Sequence, residues 1–157
     1  MKTQITEFLS RHKVAFRLLP HQTPAISIED AARQRGILPK QMVKSILLRD
    51  MDNNYALACV PGHLQADPKK VRAQLQCRRM TCVGLQDVTT ITGYEPGTVT
   101  PLLLPVTIPV FFDLAFQDMQ EVTISSGSNM AGIALQLNDL MELCHPRFAD
   151  ITRNCSH

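Results

Sequence analysis

The residues able to do chemistry in this sequence gather at three places. The first is Lys44, within a strand-like run over residues 43–49. Side chains alternate along a strand, so Met42, Lys44, Ile46 and Leu48 share one face, and Val43, Ser45, Leu47 and Arg49 share the other. A lysine on an otherwise apolar face is uncommon unless it is paired or lines a site. The alternative is a strand-end lysine whose stem lies on the core while its ammonium reaches water. The pattern leaves both open.

The second place is Thr92-Gly93-Tyr94-Glu95-Pro96-Gly97-Thr98-Val99-Thr100-Pro101. Two glycines four apart with two prolines suit a fixed loop where backbone approaches a ligand closely, although the spacing alone fits a plain surface turn better. No Gly-Lys-Ser/Thr follows, so it is not a nucleotide-binding phosphate loop. The third place is Ile124-Ser125-Ser126-Gly127-Ser128-Asn129, a strand running into small polar residues. Such an end can offer N–H groups and hydroxyls to an anion or a carbonyl oxygen, or it can be a capped turn. A serine nucleophile at Ser125 or Ser126 lacks the Gly-x-Ser-x-Gly elbow. His12, His21, His63, His145 and His157 have no acidic partner by spacing.

The elements that must hold these residues read as mixed. Ile5, Phe8, Leu9 and His12 stand at helical spacing, and residues 14–18 form a short strand ending at Pro20. Ser27 caps a second helix that stops at Gly36, and Pro39 opens a further turn. The run 43–49 and a second strand over 55–60, joined through Asp52-Asn53-Asn54, predict a hairpin. Asp67-Pro68 starts a helix to Gln76, followed by a strand over 80–83 and a helix over 86–92. Residues 93–105 predict a loop with a strand inside, and 109–113, 122–125 and 133–137 predict strands. Asn138 is expected to cap a last helix ending near His145-Pro146. The mixed order favours an α/β domain over a doubly wound sheet.

Composition narrows the class. With 157 residues, 45% hydrophobic and 19% charged, the chain suits one globular domain, 1–157. A polar N-terminus and the lack of a long apolar run predict a cytoplasmic protein with no membrane association. Without Trp and with two Tyr, a stacking platform for single-stranded nucleic acid is not expected. The five cysteines form no disulfide framework, and Cys144-His145 and Cys155-x-His157 match no zinc spacing, so the cysteines read as small core residues. Net charge is only +2. The basic groups Lys69, Lys70, Arg72, Arg78, Arg79 and Arg33, Arg35, Lys40 read first as solvated helix faces.

Taken together, the three places stand in the order and spacing of the YbaK-type aminoacyl-tRNA editing family, which includes the editing insertion of bacterial prolyl-tRNA synthetase. The resemblance runs from Phe16-Arg17-Leu18-Leu19-Pro20-His21 through Gln41-Met42-Val43-Lys44-Ser45 and Ala66-Asp67-Pro68-Lys69. It continues through Thr92-Gly93-Tyr94, Gly97, Pro101 and Ser125-Ser126-Gly127 to Phe148-Ala149-Asp150-Ile151.

The resemblance implies a barrel-like mixed β core surrounded by helices, with a pocket for the 3′ aminoacyl end of tRNA. Lys44 matches the residue most closely tied to activity. His21, Gly93, Tyr94, Gly97, Ser125, Ser126, Gly127 and Asn129 fall around the substrate, the glycines shaping the pocket and presenting N–H groups. No metal or organic cofactor is implied, and prolyl-tRNA synthetase is the candidate assisting partner. The implied activity is trans-editing hydrolysis of Cys-, Ala- or Ser-charged tRNA, most directly proline tRNA, by a free-standing domain. Lys44 would act as a point charge on a phosphate or carbonyl oxygen, or as a base if its pKa is depressed. The sequence departs from the family at Ser128-Asn129-Met130, where a basic pair and Gly are common, and at Gly132 or Ala134, where an acid is common. The synthetase insertion often has His near Asn129, and the Asn-Phe-His-Pro motif of alanine-specific deacylases is absent. The alternative is a non-catalytic aminoacyl-tRNA-binding or regulatory domain.

Overall fold

The structure, a computed structural model, describes residues 2–154. Its first helix, α1 (Gln4–Arg11), opens on a reciprocal cap. Thr6 N donates to Thr3 Oγ1 at 3.2 Å and Thr3 N donates to Thr6 Oγ1 at 2.8 Å. The helix buries Ile5 and Leu9, four apart on one face. After β1 (Phe16–Pro20), α2 (Ile28–Arg35) is capped by Ser27 and ended by Gly36 at φ +71°. A 3₁₀ turn (Pro39–Gln41) then delivers the chain to β2 (Val43–Asp50).

β2 and β3 (Tyr55–Pro61) are an antiparallel hairpin. Its turn is organised by the Asp50 carboxylate, which accepts from Asp52 N and Asn54 N, each at 2.8 Å. There follow α3 (Pro68–Leu75), β4 (Met80–Cys82), α4 (Leu85–Thr92), β5 (Val110–Asp113) and a 3₁₀ turn (Leu114–Phe116). The chain closes with β6 (Glu121–Ser125), β7 (Ala131–Gln136), α5 (Leu137–Cys144) and β8 (Arg147–Ala149).

The strands form two sheets, β1-β7-β6 and β4-β2-β3-β5-β8. Pairs β3–β5 and β5–β8 are parallel; the other pairs are antiparallel. The mixed α/β class expected from the sequence holds. The barrel-like core takes the form of two sheets whose facing sides share the main core and whose edges meet at one parallel bridge, Met42–Thr123.

The larger sheet is buried on both faces, which explains the nearly unbroken apolar run of β3. Val43, Leu47, Leu57 and Cys59 face the main core with Phe112, Ile124, Ile133 and Leu135. Leu48, Ala56, Ala58 and Val60 face a second core with Val71, Phe111 and Ile151. Lys44 pairs with Val60 and so belongs to the second row.

Two local expectations are corrected and one strand is added. No strand forms within residues 93–105, where prolines and turns interrupt ladder pairing. The last helix starts at Leu137 after Gln136, with no side-chain cap, so Asn138 lies inside its first turn. β8, for which the sequence carried no expectation, is too short to show a period and pairs in parallel with β5.

Gly62 closes the end of β3 beneath the 3₁₀ turn. Its N–H donates to Pro39 O at 3.0 Å, and a Cβ there would stand 2.7 Å from that same backbone oxygen. We predict that Gly62→Ala lowers stability by about 1–3 kcal/mol in urea unfolding, because backbone cannot yield as a side-chain tip would. A midpoint equal to that of the parent protein would contradict the packing described.

Candidate functional site

Along β2 one edge is paired throughout and the other is not. β3 pairs with residues 43–49, whereas β4 pairs only with Leu48–Asp50, and Val83 N donates to Leu47 O just beyond. Main-chain directions alternate, so Ser45 N–H and C=O, two residues from Leu47, point to the open edge. That edge borders a cleft of about 590 Å³. The cleft runs between α2 and its preceding loop, the start of β2, the Val83–Val88 segment, the Pro96–Val99 turn and the end of β6.

Lys44 stands on this cleft half-buried. Its Nζ donates to Gly62 O at 3.3 Å and to Leu64 O. An ammonium has three donors, so the two carbonyls leave one for a ligand. Burial pushes its pKa down from the ordinary lysine value, and the charge of Glu29 partly opposes that shift.

The second wall is the turn Glu95-Pro96-Gly97-Thr98. Thr98 N donates to Glu95 O at 3.0 Å, with Pro96 next and Gly97 at φ +84°, the pattern of a type II turn. Only glycine accepts that φ without strain. Among the described residues, Gly97 N–H and Asn129 N–H have no hydrogen-bond partner, and both residues line the cleft.

The third wall is the turn after β6. Ser125 Oγ donates to Thr98 O at 2.8 Å and accepts from Gly127 N at 3.1 Å, tying this turn to the previous one. Ser126 is fully buried and donates to Ala131 O at 2.7 Å. Neither hydroxyl meets an imidazole, so neither is set up as a nucleophile.

Of the residues singled out from sequence, Lys44, His21, Gly97, Ser125 and Asn129 line the cleft together. Gly93, Tyr94, Ser126 and Gly127 do not. Gly93 ends α4 at φ +80°, and its N–H is taken by Thr89 O. Tyr94 is buried with its hydroxyl donating to Leu102 O, and its ring backs Gly127, where a Cβ would stand 3.6 Å from it. These four brace the walls from behind.

One lining residue the sequence did not single out is Arg35. It stands fourth in the stripe Ile28, Ala31, Ala32, Arg35, whose spacing is that of a buried helix face. That stripe was the available signal, overlooked because Arg33 and Lys40 beside it suggested a solvated group.

The four described cysteines, Cys59, Cys77, Cys82 and Cys144, are free. Cys59 is in the core as expected, whereas Cys82 is exposed at the cleft. No group of three or more His, Cys, Asp or Glu among the described residues could hold a metal ion; the Cys155/His157 pair lies outside them.

The family model for the aminoacyl-tRNA editing domain matches residues 22–143. The chain is 30% identical over 131 residues to a proline–tRNA ligase of Bacillus licheniformis, a match spanning 82% of this chain and 22% of the ligase. It is 23% identical over 153 residues to an Enterococcus faecalis protein named as a candidate Cys-tRNA(Pro)/Cys-tRNA(Cys) deacylase, spanning 96% of this chain and 93% of that one. A solved structure of a candidate trans-editing enzyme for prolyl tRNA synthetase superimposes with a TM-score of 0.80 at 21% identity, covering 96% and 93% of the two chains. The hypothetical protein APE2540 gives 0.88 at 21% identity, covering 96% and 100%.

His21 has a defined tautomer. Nδ1 lies 2.7 Å from Asn129 O, which can only accept, and Nε2 lies 3.0 Å from the Arg35 Nε–H, which can only donate. Long-range ¹⁵N–¹H correlation spectra are therefore expected to show the proton on Nδ1 and a bare Nε2. A proton on Nε2 would refute this bonding scheme.

Proposed function

Because the chain belongs to the aminoacyl-tRNA editing domain family, we propose that its cleft hydrolyses the ester of mischarged tRNA in trans, with proline tRNA carrying Cys, Ala or Ser as substrate. The observation that carries this reading is the cleft itself. It joins a half-buried lysine with a free donor to two unpartnered backbone N–H groups, at residues 97 and 129.

Aminoacyl-tRNA is an activated ester, and its hydrolysis needs positioning and charge stabilisation more than a strong nucleophile. In this reading the ester carbonyl takes the free N–H groups, which stabilise negative charge developing on its oxygen as water adds. The proton of that water passes, through the neighbouring ribose hydroxyl or a second water, to the ester oxygen of the ribose, which leaves as the acyl C–O bond breaks. Lys44 holds a phosphate or carbonyl oxygen of the terminal adenosine through its remaining donor.

Ile26 and Leu85 line the cleft while 89% and 71% exposed, and they offer apolar surface to the terminal base. A volume near 590 Å³ suits a small aminoacyl group with its nucleoside and excludes bulkier side chains by shape. Action in the cytoplasm and assistance from prolyl-tRNA synthetase belong to the same proposal. Among the described residues no helix is long and apolar enough to cross a membrane.

Proline tRNA charged separately with Ala, Cys, Ser and Pro tests the reading. One noncognate charge is expected to be removed selectively, and Lys44→Ala to slow that removal by about 10²–10³-fold. Tight binding of all four without hydrolysis would instead identify a non-catalytic binding domain.

The role of Lys44 is separable by pH. Burial has lowered its pKa, so a cationic role predicts that enzymatic rate, after subtraction of spontaneous hydrolysis, falls as pH rises toward the ordinary lysine value. A lysine acting as base would give the opposite slope, with rate rising as it deprotonates.

A further inference from the structure

The guanidinium of Arg35 lies across Gly132 of β7, on the side of the small sheet away from the main core. A Cβ at Gly132 would stand 2.2 Å from Arg35 Nε and 2.3 Å from Cζ, so the side chain occupies the space a larger residue would fill. Nε donates to His21 Nε2 at 3.0 Å, and Nη1 reaches Thr123 Oγ1 at 3.5 Å. Among the described residues no carboxylate pairs with it. Asp30, on the same helix, instead binds Ile26 N, Arg33 and Gln34.

Burial has lowered the pKa of Arg35 to about 10, and it remains a cation at neutral pH. Burying a cation without an acid is unfavourable unless something else compensates. The C-terminal end of α2 supplies a little of that compensation. The cleft adds none: it is lined by two cations, Lys44 and Arg35, and by no Asp or Glu.

We propose that Arg35, seated over Gly132 and oriented by His21, is the cation of a second subsite in the cleft that binds an oxyanion of the substrate. This rests on the editing reading for the identity of the ligand, not for the existence of the subsite. The shared chemistry is a planar pair of oxygens accepting from the guanidinium fork. Two parts of a charged tRNA end carry it: the phosphate of the terminal nucleotide, and the carboxylate of an acidic aminoacyl side chain.

The probes are non-hydrolysable 3′-amide analogues of aminoacyl-adenosine, prepared with and without a 5′-phosphate and carrying Asp or Asn. Calorimetry would compare the parent protein with Arg35→Leu and Arg35→Lys, each checked for folding by thermal unfolding. The parent is expected to bind one oxyanion-bearing analogue about tenfold or more tighter than its neutral counterpart. A difference that follows the phosphate identifies the nucleotide, and one that follows Asp over Asn identifies an acidic side chain. Arg35→Leu should erase the difference, and Arg35→Lys should keep part of it.

If Arg35→Leu does not fold, Gly132→Ala serves the same purpose, because the added methyl displaces the guanidinium. An unchanged difference in these variants, or no difference in the parent, overturns the subsite. Absence of deacylation with every charged tRNA would overturn the editing reading alone and leave the calorimetric result standing.

Discussion

Strand β2 is paired along its whole length on one side and only over its last residues on the other, and the cleft depends on that imbalance. A strand edge left open inside a folded protein presents main-chain donors and acceptors that water or a ligand must satisfy. Here the open stretch is bounded by the Met42–Thr123 bridge at one end and the Val83–Leu47 hydrogen bond at the other. Closing it with a longer β4 would satisfy the backbone and remove the site. The Pro96–Gly97 turn and the Ser125–Gly127 turn are tied together by Ser125 rather than to β2, so they can face the gap without filling it.

Charge follows the same geometry. Lys44 lies in a row that is otherwise apolar, and its ammonium is held by two carbonyl oxygens, not by a carboxylate. Arg35 is held by an imidazole nitrogen and a threonine hydroxyl. Neutral acceptors fix the direction of a cation without cancelling its charge. Both side chains line the cleft and keep their charge there without a carboxylate partner among the described residues.

Much of this was legible in the sequence, for identifiable reasons. The helix starts at Ser27 and Asp67 carry their capping chemistry, the 43–60 hairpin carries its turn residues, and Lys44 is visible because it breaks an apolar row. Cleft lining was legible for His21, Gly97, Ser125 and Asn129 through the family resemblance rather than through spacing. It was not legible that Gly93, Tyr94, Ser126 and Gly127 brace from behind. A residue's side of a wall depends on tertiary packing that spacing does not encode. Arg35 was misjudged because its charge outweighed its place in the stripe with Ile28, Ala31 and Ala32. The open edge of β2 was invisible, since it is set by how few residues β4 contributes.

The backbone of the Ser128–Met130 turn is held without any help from the side chain of Asn129. Its carbonyl accepts from His21 and Ala25, and the hydroxyls of Ser126 and Ser128 take up the neighbouring N–H groups. The Asn129 side chain itself is exposed and makes no hydrogen bond among the described residues. The side chain at position 129 thus takes no part in the hydrogen bonding that holds the turn. A substitution there changes the group presented at the cleft and leaves the backbone hydrogen bonds of the turn in place.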